Sequence, residues 1–211
     1  MQPLFTTGDV VLFQGDSITD WGRDREDPTH LGSGYALMAA AWFQALYPEL
    51  EVQFINRGIG GNRVVDLEAR WQQDCLDLHP GWVSLLIGIN DTWRRYDNAD
   101  PTSTQRYEDG YRRLLDRTVQ ATQARLILCE PFVLPYPAGR EVWREDLDPK
   151  IAVVRKIARE YNAIYVPFDG IFAQVATQRA PEFWAADGVH PTPAGHALMA
   201  QAWLRAVKAL A

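Results

Sequence analysis

The sequence predicts a three-layer α/β protein: a doubly wound, five-stranded parallel sheet of flavodoxin-like order with helices on both faces. Five short, nearly continuous apolar runs recur along the chain, as strands buried on both faces require. Longer segments of helical period lie between them. The alternation is unbroken by any linker, repeat or low-complexity tract, so residues 1–211 read as one domain, long enough to bury a sizeable core.

The strands are expected at residues 10–14, 52–56, 82–87, 126–129 and 164–167. Tyr35, Met38, Trp42 and Leu46 share the apolar face of the first long helix, with Trp42 read as core. Residues 64–78 form a further, largely polar helix. Tyr107, Tyr111, Leu114 and Thr118 line the next helix, and Ile151, Val154, Ala158 and Tyr161 the one after. Met199, Trp203, Val207 and Leu210 line the last, with Thr192 as its cap, Pro193 at its first position and Trp203 as core. Residues 131–149 carry four prolines and are long for a connection, which suits a lid or a subunit contact; homo-oligomerisation stays open.

Composition narrows the function classes. The formal charge of −6 disfavours nucleic acid or an anionic membrane as the main partner. Two cysteines, Cys75 and Cys129, make neither a disulfide framework nor a zinc or redox spacing. The N-terminus lacks a basic region followed by an apolar stretch, and the longest apolar run, 35–43, is too short to span a bilayer. A cytoplasmic protein is the expectation.

A doubly wound sheet binds ligands beyond the carboxyl ends of its strands. The segments there are Gly15-Asp16-Ser17-Ile18-Thr19-Asp20, then Asn56 to Asn62 with its glycines, then Gly88-Ile89-Asn90-Asp91, and finally Asp187-Gly188-Val189-His190-Pro191. A serine, glycine amides and an asparagine side chain would converge there, which is the inventory for acyl transfer. Ser17 is the candidate nucleophile. Of the four histidines, His79 precedes the third strand and His196 falls inside the last helix. His30, in a loop after Ser17, competes geometrically with His190. His190 is favoured because Asp187, three residues earlier, can hold one ring nitrogen while the other faces Ser17. The oxyanion donors would be the amides of Ser17 and Gly61 and the side chain of Asn90.

Each segment alone has a blander explanation: a helix cap, a surface pair, a tight or phosphate-cradling turn. Arg63 stands where a dinucleotide fingerprint needs its third glycine. Asp187, His190 and His196 lack a metalloprotease pattern, so neither metal nor cofactor is expected. Together and in order, the four segments resemble the SGNH hydrolases, or GDSL-type esterases and lipases. The resemblance runs from about Val10 to the last helix. It implies the SGNH hydrolase fold, Ser17 as nucleophile, Asp187 and His190 as its triad partners, and Gly61 (or the neighbouring Gly60) with Asn90 in the oxyanion hole. GWVSLLIGINDTWRRYD, Ala69–Trp71 and GDSITDWGR are similar to the intracellular acetylxylan esterase branch; Ala186 stands where some members carry an aromatic residue.

The expected activity is therefore a serine esterase acting on short acyl, chiefly acetyl, esters of a small carbohydrate. A thioesterase or lysophospholipase of the same family, and a non-catalytic sugar- or phosphate-binding module, are the alternatives. Trp21, Trp93 and Trp184 are candidates for a sugar-packing wall. Arg94 and Arg95 suit either a substrate anion or pairing with Asp91 and Asp97.

Overall fold

A computed structural model describes residues 2–210. Strands β1 (Val10–Gly15), β2 (Gln53–Asn56), β3 (Trp82–Leu86), β4 (Arg125–Cys129) and β5 (Ile164–Val166) form one sheet in the order β2-β1-β3-β4-β5. All pairings are parallel, with Val11 opposite Trp82 and Gly15 opposite Leu86. The expected strands and order are observed.

Because side chains alternate across a strand, β1 feeds two cores. Val11 and Phe13 point into one, with Tyr35, Phe43 and Trp203; Leu12 points into the other, with Trp71, Tyr107 and Tyr111. Helices α1 (Ser17–Asp20), α2 (Tyr35–Leu46), α3 (Val64–Asp74), α4 (Ile89–Asp97) and α5 (Thr104–Thr122) follow in chain order. Then come α6 (Arg144–Glu160), α7 (Phe168–Ala176), α8 (Pro181–Trp184) and α9 (Pro193–Ala206). Helices α2 and α9 pack together on one face, while α3, α5 and α6 adjoin on the other. No helix among the described residues is long and apolar enough to cross a membrane.

The expected stripe of α5 is buried throughout, and Thr192 caps α9 by accepting from the Gly195 amide. The stripe of α2 is rotated. Its buried residues are Tyr35, Ala36, Ala39, Ala40 and Phe43, whereas Trp42 is 58% exposed and Leu46 42%. Alanines between Tyr35 and Phe43 allow the close approach of α9, and the inward face they define lies away from Trp42 and Leu46. The span 64–78 also divides: α3 stops at Asp74 and a separate 3₁₀ turn occupies Leu76–Leu78. In the proline-rich segment, Phe132, Val133, Leu134 and Trp143 are buried, and Pro149 lies within α6, so the connection is shorter than the prolines suggest.

Trp203 is fully buried, packs on Phe5 and Phe13, and donates through Nε1 to Ser84 Oγ at 3.0 Å. Trp203→Ala is expected to lower unfolding free energy by about 3–5 kcal/mol. Trp42→Ala should cost less than about 0.5 kcal/mol, as surface changes do. Urea titrations of the two variants check the contrast.

Candidate active site

The carboxyl ends of β1, β2 and β3 are neighbours, which puts three of the four segments side by side. Ser17 opens the four-residue α1 directly after β1. Asp16 caps it, accepting from the Ile18 amide at 3.0 Å through Oδ1. Gly15 must lack a side chain, since a Cβ there would sit 2.4 Å from the Leu86 carbonyl and 2.5 Å from Thr19 Oγ1. The turn that carries Ser17 is thus pressed against β3.

Ser17 Oγ lies 2.9 Å from His190 Nε2, and His190 Nδ1 lies 2.8 Å from Asp187 Oδ2. Asp187 Oδ1 accepts from the amides of Val189 (3.0 Å) and His190 (2.7 Å), which fixes the carboxylate before the ring is considered. The turn needs Gly188: its φ is +83°, and a Cβ would come within 1.9 Å of the Tyr136 carbonyl. In return, Leu134 donates its amide to the Gly188 carbonyl at 2.8 Å.

His30, the competing histidine, is turned away. Its Nδ1 accepts from the amides of Asp24 (3.0 Å) and Gly32 (3.3 Å). His79 sits in a left-handed turn before β3, at the opposite end of the sheet. His196 accepts from the Tyr35 amide at 3.1 Å, and burial pushes its pKa down to about 4.

Electrostatics separates the acids. Burial alone would raise the Asp187 pKa, but its hydrogen bonds from the His190 ring and the two amides hold it well below the usual range. The bond to Asp187 in turn raises His190 above its ordinary value of 6.5. Asp16 is pushed up to about 7 by burial, and its Oδ2 has no hydrogen-bond partner among the described residues.

The glycine segment is held from both ends. Asn56, at the end of β2, donates to the Thr19 and Leu31 carbonyls and accepts from the Gly58 amide. Gly60 gives its amide to Asp20 Oδ2 at 3.0 Å. Beyond it, Asn90 Nδ2 donates to the Asn62 carbonyl at 3.1 Å, and Asp91 accepts from the Val64 amide at 3.1 Å. Asp91 is fully buried, which raises its pKa to about 7. Among the described residues, the amides of Ser17 and Gly61 have no acceptor. Asn90 is 5% exposed and keeps a second Nδ2 hydrogen.

Two of the three tryptophans reach the histidine. The Trp21 and Trp93 rings lie 6.0 and 5.8 Å from the His190 ring. Trp93 also packs on Trp143 and carries the Arg140 guanidinium at 4.5 Å. Trp184 instead stacks edge-on against Phe183 and packs on the core. Neither Arg94 nor Arg95 pairs with Asp91: Arg94 binds Asp97, and Arg95 binds Glu145 and Asp146. The supports Asn56, Asp20 and Arg140 were not assigned roles from sequence. A polar residue closing an apolar strand is the signal that marks Asn56.

The GDSL-like lipase/acylhydrolase family model matches residues 13–198. The chain belongs to that family. It is 40% identical over 210 residues to an acetylxylan esterase of Geobacillus stearothermophilus, covering 95% of this chain and 94% of the relative. A crystal structure of an acetylxylan esterase from that organism superposes with a TM-score of 0.87 at 37% identity, covering 96% of this chain and 95% of the other. An α/β hydrolase from a Lake Arreo metagenome aligns over 100% of both chains, with a TM-score of 0.92 and 32% identity. Membership makes the chain a carboxylic ester hydrolase with the SGNH hydrolase fold, and removes the non-catalytic binding module as an alternative.

The Asp187 contact governs the histidine titration. In Asp187→Asn the His190 pKa should fall, since the carboxylate no longer favours the imidazolium. His196 should stay neutral down to about 4 in both proteins. Ring-proton NMR titrations of the two forms measure this; an unchanged His190 midpoint would refute the coupling.

Proposed function

We propose that the chain is a metal-independent serine esterase that removes short acyl groups, chiefly acetyl, from carbohydrate esters. The observation that carries this is the unbroken line Ser17–His190–Asp187, with contacts of 2.9 and 2.8 Å. Ser17 Oγ attacks the ester carbonyl while His190 Nε2 takes its proton. Asp187 keeps the other ring nitrogen protonated and stabilises the imidazolium. The proton then passes to the departing alcohol, leaving an acyl-enzyme. Water, deprotonated by the same histidine, releases the acid and restores Ser17.

The amides of Ser17 and Gly61 and the Asn90 side chain hold the oxyanion in this proposal. Gly61 is preferred over Gly60 because the Gly60 amide is already given to Asp20. Each donor strengthens as charge develops on oxygen, and losing one typically costs about 2.7–4 kcal/mol. The hydrolase unit is taken to span residues 1–211.

Similarity to an acetylxylan esterase supports the acetyl-sugar substrate. So do Trp21 and Trp93, which flank His190 as planes for a sugar ring. A longer acyl group needs an apolar cavity reaching the serine. The cavity of about 390 Å³ next to the 187–190 turn has apolar walls at Val133, Leu134 and Ala173, but Arg140, Glu141, Arg144 and Asp169 also line it, and Ser17, Asp187 and His190 do not. Each buried methylene is worth about 0.8 kcal/mol, so a long-chain enzyme would gain rate with every added carbon.

Rates with p-nitrophenyl esters separate these outcomes. kcat/KM should fall from acetyl to butyryl to octanoyl, and acetylated xylose should outperform a plain alkyl acetate. A maximum at octanoyl would transfer the assignment to the lipase or thioesterase class. Ser17→Ala and His190→Ala should each abolish nearly all turnover, with no further loss on combination. EDTA should leave the wild-type rate unchanged.

A further inference from the structure

Asp20 ends the helix that Ser17 begins, and its side chain is only 13% exposed. Its carboxylate faces the glycine segment. Oδ2 accepts the Gly60 amide at 3.0 Å and is also bound by Arg25. Oδ1 is met by Arg23 Nε at 3.4 Å, and Arg23 continues to the Gly58 carbonyl at 2.9 Å. Gly58 lies so close to α1 that a Cβ would stand 2.5 Å from the Asp20 amide nitrogen. Ser17 and the glycine segment are therefore fastened to each other through one carboxylate and one buried arginine.

We propose that Asp20 is a positioning residue that aims the Gly61 amide at the oxyanion. This rests on the oxyanion assignment above. The far end of the segment is fixed by Asn90 and Asp91, through Asn62 and Val64. The near end is fixed at Gly60 by Asp20 alone among the described side chains, one peptide before the proposed donor. Gly61 itself has a φ of +82°. Releasing the Gly60 amide leaves the turn held by the Asn62 amide on the Ile59 carbonyl at 3.2 Å and lets the next peptide plane, which carries the Gly61 N–H, tilt about it. An amide donor shifted by about 1 Å can cost about 100-fold in rate. The bond to Asp20 does not touch the substrate, so its loss falls on the transition state, where the oxyanion forms, and not on ground-state binding.

The test compares Asp20→Ala, Asp20→Asn and Arg25→Ala with wild type on p-nitrophenyl acetate. Rates are expressed per active serine, counted by burst titration with a fluorophosphonate, so that a loss of folded protein does not enter. Asp20→Ala should lower kcat by about 10- to 100-fold with KM within about twofold, and weaken a boronic acid transition-state analogue by a similar factor. Asp20→Asn keeps an acceptor oxygen for the Gly60 amide and should recover most of kcat. Arg25→Ala removes a partner of that carboxylate but leaves the Gly60 acceptor in place, and should lose less kcat than Asp20→Ala; an equal or larger loss would move the role from Asp20 to Arg25. An unchanged kcat in Asp20→Ala, a loss carried in KM, or an Asp20→Asn as damaged as Asp20→Ala overturns the role. Asn90→Ala is run beside them. If it also leaves kcat unchanged, the oxyanion assignment fails and takes this inference with it. If it lowers kcat while Asp20→Ala does not, the role of Asp20 fails alone.

Discussion

The 2.9 Å contact between Ser17 Oγ and His190 Nε2 joins residues 173 positions apart, and most of the architecture serves to hold it. One partner stands on a four-residue helix after a central strand; the other stands in a turn before the last helix. No local interaction brings such distant segments to hydrogen-bonding range. The parallel sheet does so by placing β1 and β3 together in the centre, and α9 does so by packing on α2 on one face. Phe13, Tyr35 and Trp203 are among the buried side chains of the core between the sheet and α2 and α9.

Around that contact, carboxylates of one chemical kind sit in different environments. Asp187 is bonded to the histidine ring and two amides and stays ionised. Asp16 is buried beside the serine with one oxygen bare, and Asp91 is buried between two segments, so both are drawn to about 7. The difference follows first from burial, which is near complete for Asp16 and Asp91 and partial for Asp187, and then from the number of donors each carboxylate meets. The site places full charge where a histidine needs orienting. Elsewhere it uses carboxyls as backbone acceptors.

Much of this was legible in the sequence. The strands follow from apolar runs bounded by glycine and asparagine, because a strand buried on both faces carries few polar residues, and those it has, such as Ser84 and Asn56, are hydrogen-bonded. Ser17 was legible as the serine just beyond β1, and Asp187 and His190 from their three-residue spacing and the family resemblance; the structure brings the three side chains within 2.9 and 2.8 Å of one another. The orientation of α2 was not. Hydrophobicity ranks Trp42 above Ala39 and Ala40, but the close passage of α9 selects for size, and that neighbour is about 150 residues away in the chain. Arg94 pairs with Asp97, as its spacing suggested, but the partners of Arg95 were hidden for the same reason: Glu145 and Asp146 arrive from α6, and charge alone does not say which acids come near. Trp184 illustrates the converse. Proximity in sequence to Asp187 did not bring its ring to His190: Ala185 pairs with Pro191, and the Trp184 ring packs on Phe183 and the core.

The crowding of Gly188 against the Tyr136 carbonyl also bears on how this scaffold can be diversified. A position where even a methyl group collides with backbone tolerates no side-chain variation without moving the histidine that follows two residues later. The 187–190 turn is therefore a frozen part of the sequence space available to the protein. Under the proposed function, changes in substrate range are to be sought at Trp21 and Trp93, whose rings flank the histidine at 6.0 and 5.8 Å. A combinatorial library aimed at new alcohols is best built at those two sites, with residues 134–136 and 187–190 held constant.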